Sequence, residues 1–304
     1  MNYVTIGGEQ KVSAIALGCM RISALDQPAL SRHIHTALDA GINFFDHADI
    51  YGGGQCESDF GRLLAAEPGL RERMILQSKC GIRPNQYDFS KEHILQSVEG
   101  ILSRLGTDRL DLLLLHRPDA LMEPEEVAEA FSALEASGKV LRFGVSNFTA
   151  RQIELLQPAL KQKLVVNQMQ FGLMCSGLVD HGICANTEFP HAGDRDGEVL
   201  DYCRLHGVTI QAWSPFQYGF FEGVFLDNPK FPELNAKLQE VADRYEVSKQ
   251  AMAAAWILRH PAKMQVIAGT TNAQRLADLC TACQVDLSRE DWYALYLAAG
   301  NKLP

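Results

Sequence analysis

The sequence predicts an α/β protein folded as a single (β/α)8 (TIM) barrel over residues 1–304, and three observations carry that expectation. Eight short apolar runs alternate with longer amphipathic segments through the whole chain, no change of composition marks a second domain, and some of the runs, Leu112–Leu115 among them, are apolar nearly throughout. Strands of that last kind suit a parallel sheet covered on both faces, and a barrel of this type routinely exceeds about 250 residues as one domain.

The candidate strands are Val12–Cys19, Ile42–His47, Met74–Cys80, Leu110–His116, Val140–Ser146, Val165–Gln170, Thr209–Ser214 and Gln265–Thr270. Apolar residues at helical spacing lie between them: Ile94, Val98, Ile101, Leu102 and Leu105 in one segment, Val127, Phe131 and Leu134 in the next. Thr149 with Gln152, and Ser288 with Asp291, have the spacing of capping boxes, and Gly106, Gly138 and Gly207 stand where helices should end. Residues 171–196 are too long and too irregular for an ordinary connection, so this stretch and 216–232 are expected to form loops over the C-terminal mouth.

With 47% hydrophobic and 21% charged residues the chain has the composition of a globular protein with a large core. A formal charge of -9 without a run of Lys and Arg speaks against nucleic acid as a partner. No stretch reaches the roughly 18 apolar residues of a membrane span. Met1–Gln10 lacks the apolar stretch of a secretory signal, so the expected location is the cytoplasm. The eight cysteines form no disulfide framework and read as free thiols. A monomer or weak homo-oligomer meets every requirement of the sequence.

In a barrel the chemistry sits at the C-terminal strand ends. Strand two ends in Asp46-His47-Ala48-Asp49-Ile50-Tyr51, strand three in Ser78-Lys79-Cys80 and strand four in His116-Arg117-Pro118-Asp119, so adjacent strands deliver Asp46, Tyr51, Lys79 and His116 to one rim. Together they make a catalytic acid. A Lys79 ammonium lowers the Tyr51 pKa, Asp46 holds the lysine charged, and a neutral His116 orients a carbonyl oxygen toward Tyr51. Hydride arriving at the carbonyl carbon as Tyr51 gives up its proton completes a reduction. After strand eight, Gly269-Thr270-Thr271-Asn272 leads into a helix with Arg275 in its first turn, a place to receive a 2'-phosphate. That favours NADP(H), with NAD(H) as the alternative cofactor.

These residues resemble the aldo-keto reductase superfamily over essentially the whole length. Asp46, Tyr51, Lys79 and His116 match its catalytic tetrad in order and strand placement, Gly144-Val145-Ser146-Asn147-Phe148 matches its fifth-strand motif, and the wording of these motifs is similar to a bacterial branch of predicted oxidoreductases. The resemblance implies that Ser146, Asn147 and Gln168 bind the nicotinamide carboxamide, that Trp213 stacks on its ring, and that Ser214 opens the pyrophosphate site. Met20, at the end of strand one, is counted with the cofactor contacts. No GxGxxG fingerprint is present, which argues against a Rossmann domain. The implied activity is NADP(H)-dependent reduction of an aldehyde or ketone, with a small carbonyl compound as partner.

Duller readings stand beside these. Asp46 with Lys79 reads equally as a structural ion pair, and His116 as a core histidine. Cys280 and Cys283 have redox spacing but lie on an amphipathic helix; Cys175, His181, Cys184 and His191 are zinc-type residues at irregular spacing, and no metal is expected. Met20, Phe171, Tyr218 and Phe220 suggest an apolar substrate cavity, with Arg21 and Arg117 at its rim. The rival functions are a Schiff-base lyase working through a neutral Lys79 and a nicotinamide sensor with negligible turnover.

Overall fold

In the computed structural model, which describes residues 1–8, 10–183, 199–219 and 221–301, the eight expected strands close into a parallel barrel in sequential order. They are β1 (Ile15–Gly18), β2 (Phe44–Asp46), β3 (Ile75–Cys80), β4 (Leu112–Leu115), β5 (Phe143–Ser146), β6 (Leu164–Gln170), β7 (Thr209–Trp213) and β8 (Gln265–Ala268). Closure is made by β8 on β1, with Val266 opposite Ile15.

The period-2 alternation of a strand sorts these apolar runs into two cores. Leu17, Phe45, Leu76, Leu113, Leu115 and Val145 face outward into the annulus beneath the helices. Ala16, Phe44, Leu112, Leu114, Val166 and Ile267 fill the lumen. A continuous Leu112–Leu115 run is therefore required, because both faces of β4 are buried.

Eleven helices are described: α1 (Gln27–Asp39), α2 (Gln55–Ala66), α3 (Lys91–Leu105), α4 (Pro124–Ala136), α5 (Ala150–Leu156), α6 (Gly177–Ile183), α7 (Val199–His206), α8 (Pro232–Arg244), α9 (Lys249–Leu258), α10 (Ala273–Cys280) and α11 (Arg289–Ala298). In α3 the Ser90 hydroxyl accepts from the His93 N–H at the start, Gly106 takes the left-handed conformation (φ 62°) at the end, and Ile94, Val98, Ile101, Leu102 and Leu105 are the buried face. The Thr149–Gln152 capping box is present at α5, and Ser288 caps α11 through the Asp291 N–H.

The structure departs from the expectation at the start of the chain. Val12 and Ser13 do not belong to barrel strand one; they end an antiparallel hairpin in which Tyr3–Ile6 pairs with Gln10–Ser13. Ile6 and Val12 of that hairpin pack into the lumen core and plug the N-terminal floor. Leu110 and Val140 likewise contribute only a single bridge before β4 and β5 begin.

Residues 171–183 lie against the outer helices. Phe171 is fully buried on Trp256, and Asp180 accepts a 2.7 Å hydrogen bond from the Tyr296 hydroxyl of α11. Trp256 of α9 and Trp292 of α11 stack at 4.7 Å, and each indole N–H donates to the other residue's backbone carbonyl at 3.0 Å. Residues 184–198 are outside the described residues. The stretch 216–232 does reach the mouth, as a small hairpin of Gln217–Tyr218 with Gly223–Val224. No helix among the described residues is long and apolar enough to cross a membrane.

Candidate active site

The mouth of the barrel opens into a cavity of about 880 Å3; Asp46, Tyr51 and His116 line it, and Lys79 is buried against Asp46 and Tyr51. Asp46 ends β2, Lys79 lies in β3, Tyr51 begins a short turn (Tyr51–Gly54) after β2, and His116 follows β4. The Lys79 ammonium is wholly buried and donates to three acceptors: Asp46 Oδ1 at 2.7 Å, the His47 carbonyl at 2.8 Å and the Tyr51 hydroxyl at 3.0 Å. Its three N–H bonds are thus all directed. Burial works against its charge, but Asp46 and then Tyr51 outweigh it and hold the lysine above its ordinary pKa. A charged lysine with no lone pair to offer is not a Schiff-base nucleophile.

At Tyr51 the expected lowering by Lys79 is present but is outweighed. Burial raises its pKa above the usual tyrosine value, and although the Lys79 charge and hydrogen bond pull it down, they do not overcome burial and the repulsion from Asp46. The side chain is therefore a protonated phenol with the ammonium beside its oxygen. His116 meets the Tyr51 ring edge-on at 6.1 Å, and burial followed by the charges of Lys79 and Arg117 holds it well below the ordinary imidazole range, hence neutral at pH 7. Its Nδ1 is buried without a partner, so its polar reach is through Nε2.

The turn that carries Tyr51 is fixed from behind. Gly52, Gly53 and Gly54 all have positive φ (59°, 64° and 91°), and a Cβ on Gly54 would come within 2.9 Å of the Arg104 side chain. Arg104 of α3 grips the fully buried Glu57 of α2 through two nitrogens at 2.8 Å, and Glu57 also accepts from the Ser78 hydroxyl at 2.6 Å.

The residues matched to a nicotinamide site are joined in one chain of hydrogen bonds. Ser146 Oγ donates to the Gln168 carbonyl (2.9 Å), Asn147 Nδ2 donates to Ser146 Oγ (2.8 Å), and Trp213 Nε1 donates to Asn147 Oδ1 (3.2 Å). Asn147 and Ser214, at the ends of β5 and β7, both hold left-handed backbones (φ 62° and 47°), a strain that concentrates at functional sites. The Trp213 ring stacks on Phe221 at 5.8 Å and has the Arg117 guanidinium 5.6 Å from its centre.

Met20, Arg21, Arg117, Ser146, Asn147, Gln168, Trp213, Ser214, Gly269, Thr270 and Arg275 all line the cavity. Thr271 is not among the lining residues, and neither is Asn272, whose side-chain oxygen caps α10 by accepting from the Arg275 N–H at 2.9 Å. Phe171 and Tyr218 are corrections: the first is core, and the second packs edge-on against Phe231 outside the cavity. Phe220 is outside the described residues.

Sequence reasoning missed Ile82 and Tyr87, which enter the cavity from a two-residue hairpin after β3, although Pro84-Asn85 is a recognisable turn signal. It also missed Phe221 and Lys249, the latter at the start of α9 and paired with Asp227 across the same cavity. For the zinc-type cluster, Cys184, His191 and the His181 side chain are outside the described residues, and no group suited to a metal occurs among the described ones. Burial pushes the Cys280 thiol up to about 11 and raises Cys283, which leaves neither as a reactive thiolate at neutral pH.

Comparison with known proteins gives a consistent result. The model of the Aldo/keto reductase family matches residues 14–296. The chain is similar to a 6-dehydroglucose reductase of Agrobacterium fabrum (35% identity, 99% of each chain), to the uncharacterized oxidoreductase YcsN of Bacillus subtilis (39%, 100% of each) and to the oxidoreductase YdhF of Escherichia coli (36%, 94% of this chain and 93% of YdhF). The solved thermostable aldo-keto reductase Tm1743, crystallised with the inhibitor epalrestat, shares the fold with a TM-score of 0.78 at 24% identity, covering 98% of this chain and all of that one.

Proposed function

The chain belongs to the aldo/keto reductase family and is an oxidoreductase of the carbonyl-reducing type, and from that premise we propose that it reduces aldehyde or ketone carbonyls at the expense of NADPH, with Tyr51 as the proton donor. The observation that carries the reading is the Asp46–Lys79–Tyr51 chain of short hydrogen bonds ending on a phenol at the base of the cavity.

The residues present fit a nicotinamide cofactor. Trp213 offers a broad ring, Gln168, Ser146 and Asn147 cluster amide and hydroxyl groups beside it, and Arg275 at the start of α10 lies in the same cavity and suits a 2'-phosphate. When bound, the nicotinamide supplies the hydride. The protein does the rest. His116, held neutral, offers Nε2–H to the carbonyl oxygen and orients it; Tyr51 transfers its proton to that oxygen as charge develops; Lys79, already against the Tyr51 oxygen, stabilises the phenolate left behind. In the alcohol-oxidising direction the same groups act in reverse.

The test is turnover of a broad aldehyde and ketone panel with NADPH and with NADH, and 6-dehydroglucose, for which a relative is named, is the first aldehyde to include. Reduction lost by about 10²–10⁴-fold in Tyr51→Phe, with NADPH binding retained, supports the proposal. A Tyr51→Phe variant as active as the wild type refutes the donor assignment.

A further inference from the structure

The lumen of a barrel of this class is ordinarily filled by branched aliphatic side chains. Here four glutamines enter the lumen, one each from β3, β6, β7 and β8: Gln77, Gln168, Gln211 and Gln265, all at most 3% exposed. Amides in such a place destabilise the fold unless they are hydrogen-bonded. They are, and in one direction. Gln77 Nε2 donates to Asp46 Oδ1 (2.6 Å) and to Gln211 Oε1 (2.8 Å); Gln168 Nε2 donates to the same two oxygens (3.2 and 3.0 Å). Gln211 Nε2 donates to Gln265 Oε1 (2.7 Å), and Gln265 Nε2 donates to the Ser13 carbonyl (2.8 Å), in the hairpin that plugs the floor.

Both ends of this ladder are acceptors, the Asp46 carboxylate above and a backbone carbonyl below, so every amide has one permitted orientation. Gln77 shows the strength of that constraint. Its Oε1 is buried without a partner, yet exchanging its nitrogen and oxygen would set an amide oxygen against two acceptors at once. Each of Gln77 and Gln168 has two N–H bonds, and each directs one to Asp46 and one to Gln211. The Gln211 oxygen therefore fixes the planes of both amides that hold Asp46.

We infer that Gln77, Gln168, Gln211 and Gln265 form a positioning network that locks the Asp46 carboxylate in the orientation from which it keeps the Lys79 ammonium on the Tyr51 oxygen. Gln77, Gln211 and Gln265 are positioning residues acting through Asp46. The inference rests on the proposed role of Tyr51, and it names the part of the chain that keeps the donor in register with the barrel floor.

The experiment replaces Gln211 by Met, of similar length and without a donor or acceptor, and reads two signals. The first is ionisation of Tyr51, taken as the ultraviolet difference titration against the corresponding Tyr51→Phe protein; the second is kcat and KM on the best substrate of the panel. The expected result is a Tyr51 titration moved upward by about one pH unit or more, because the ammonium no longer sits on the phenol oxygen. With it comes a fall in kcat on the order of tenfold to a hundredfold. Lowered thermal stability with an unmoved Tyr51 titration overturns the inference, since a purely structural layer would behave in that way. Should Gln211→Met fail to fold, Gln265→Met at the floor end is read by the same titration, and no shift there overturns the inference equally. If the wild-type protein reduces no carbonyl, the reductase reading fails, while the titration still decides for or against the ladder.

Discussion

His47 is a buried histidine with no partner for either ring nitrogen, packed edge-on to Phe60 at 4.6 Å, and it should control how the protein responds to acid. Burial first, and the Lys79 charge second, lower its pKa to about 3. In the unfolded chain it returns to about 6.5. Between those values the unfolded state holds a proton that the native state does not, so this group's contribution to stability is complete above about pH 6.5 and is lost as pH falls toward 3. From pH 7 to pH 4 the loss from this one side chain is about 3 kcal/mol. Asp49 acts in the opposite sense: burial, reinforced by Glu57, raises it to about 7, so below that pH the native state holds a proton that the unfolded carboxylate releases until about 3.9. Over the same range it adds about 3 kcal/mol. The two offset each other in the wild type and separate on mutation. Urea denaturation at pH 7, 6, 5 and 4 should show His47→Leu becoming more stable relative to wild type as pH falls, and Asp49→Asn becoming less stable. If the gap between His47→Leu and wild type changes by less than about 1 kcal/mol between pH 7 and 4, the assignment of His47 as a buried neutral group is wrong.

Arg104→Met leaves Glu57 buried without its counter-charge, and with Arg104 itself 31% exposed the cost is about 2–4 kcal/mol, read as a drop in thermal midpoint of about 3–6 °C. Arg275→Ala should weaken NADPH binding by about 1–2 kcal/mol and leave NADH nearly unchanged, measured by fluorescence titration of both; equal losses would remove the residue from a 2'-phosphate site. Phe171→Ala empties a fully buried position and should destabilise by about 3–5 kcal/mol while kcat at low temperature stays near wild type, whereas a changed substrate KM would return Phe171 to the cavity wall.

The barrel was legible because its signal is redundant: strands such as Leu112–Leu115, buried on both faces, admit little but apolar residues, and the intervening helices carry their own caps. Asp46, Lys79 and His116 were legible for a related reason, since a polar residue closing an apolar run marks the end where barrels keep their chemistry. The floor hairpin was not, because Val12 is as apolar as a barrel strand and nothing local distinguishes a plug from a wall. The glutamine layer escaped for a different reason. Each of the four strands contributes a single member, and only closure of β3, β6, β7 and β8 around one axis brings them together. The placements of Phe171 and Tyr218 depended on which way an irregular segment turns, which residue type does not encode. The direction of the Tyr51 shift required weighing burial against a neighbouring charge, and that balance exists only in three dimensions.

The reciprocal indole pair of Trp256 and Trp292 has an optical consequence. Two chromophores face to face at 4.7 Å and tilted by only 11° couple their excited states, so the near-ultraviolet circular dichroism of the protein should carry a strong signature from the α9–α11 brace. The third and last tryptophan of the chain, Trp213, stands at the mouth. The molecule therefore contains two separable reporters: ellipticity that follows the docking of the C-terminal helix, and emission that follows what enters the barrel.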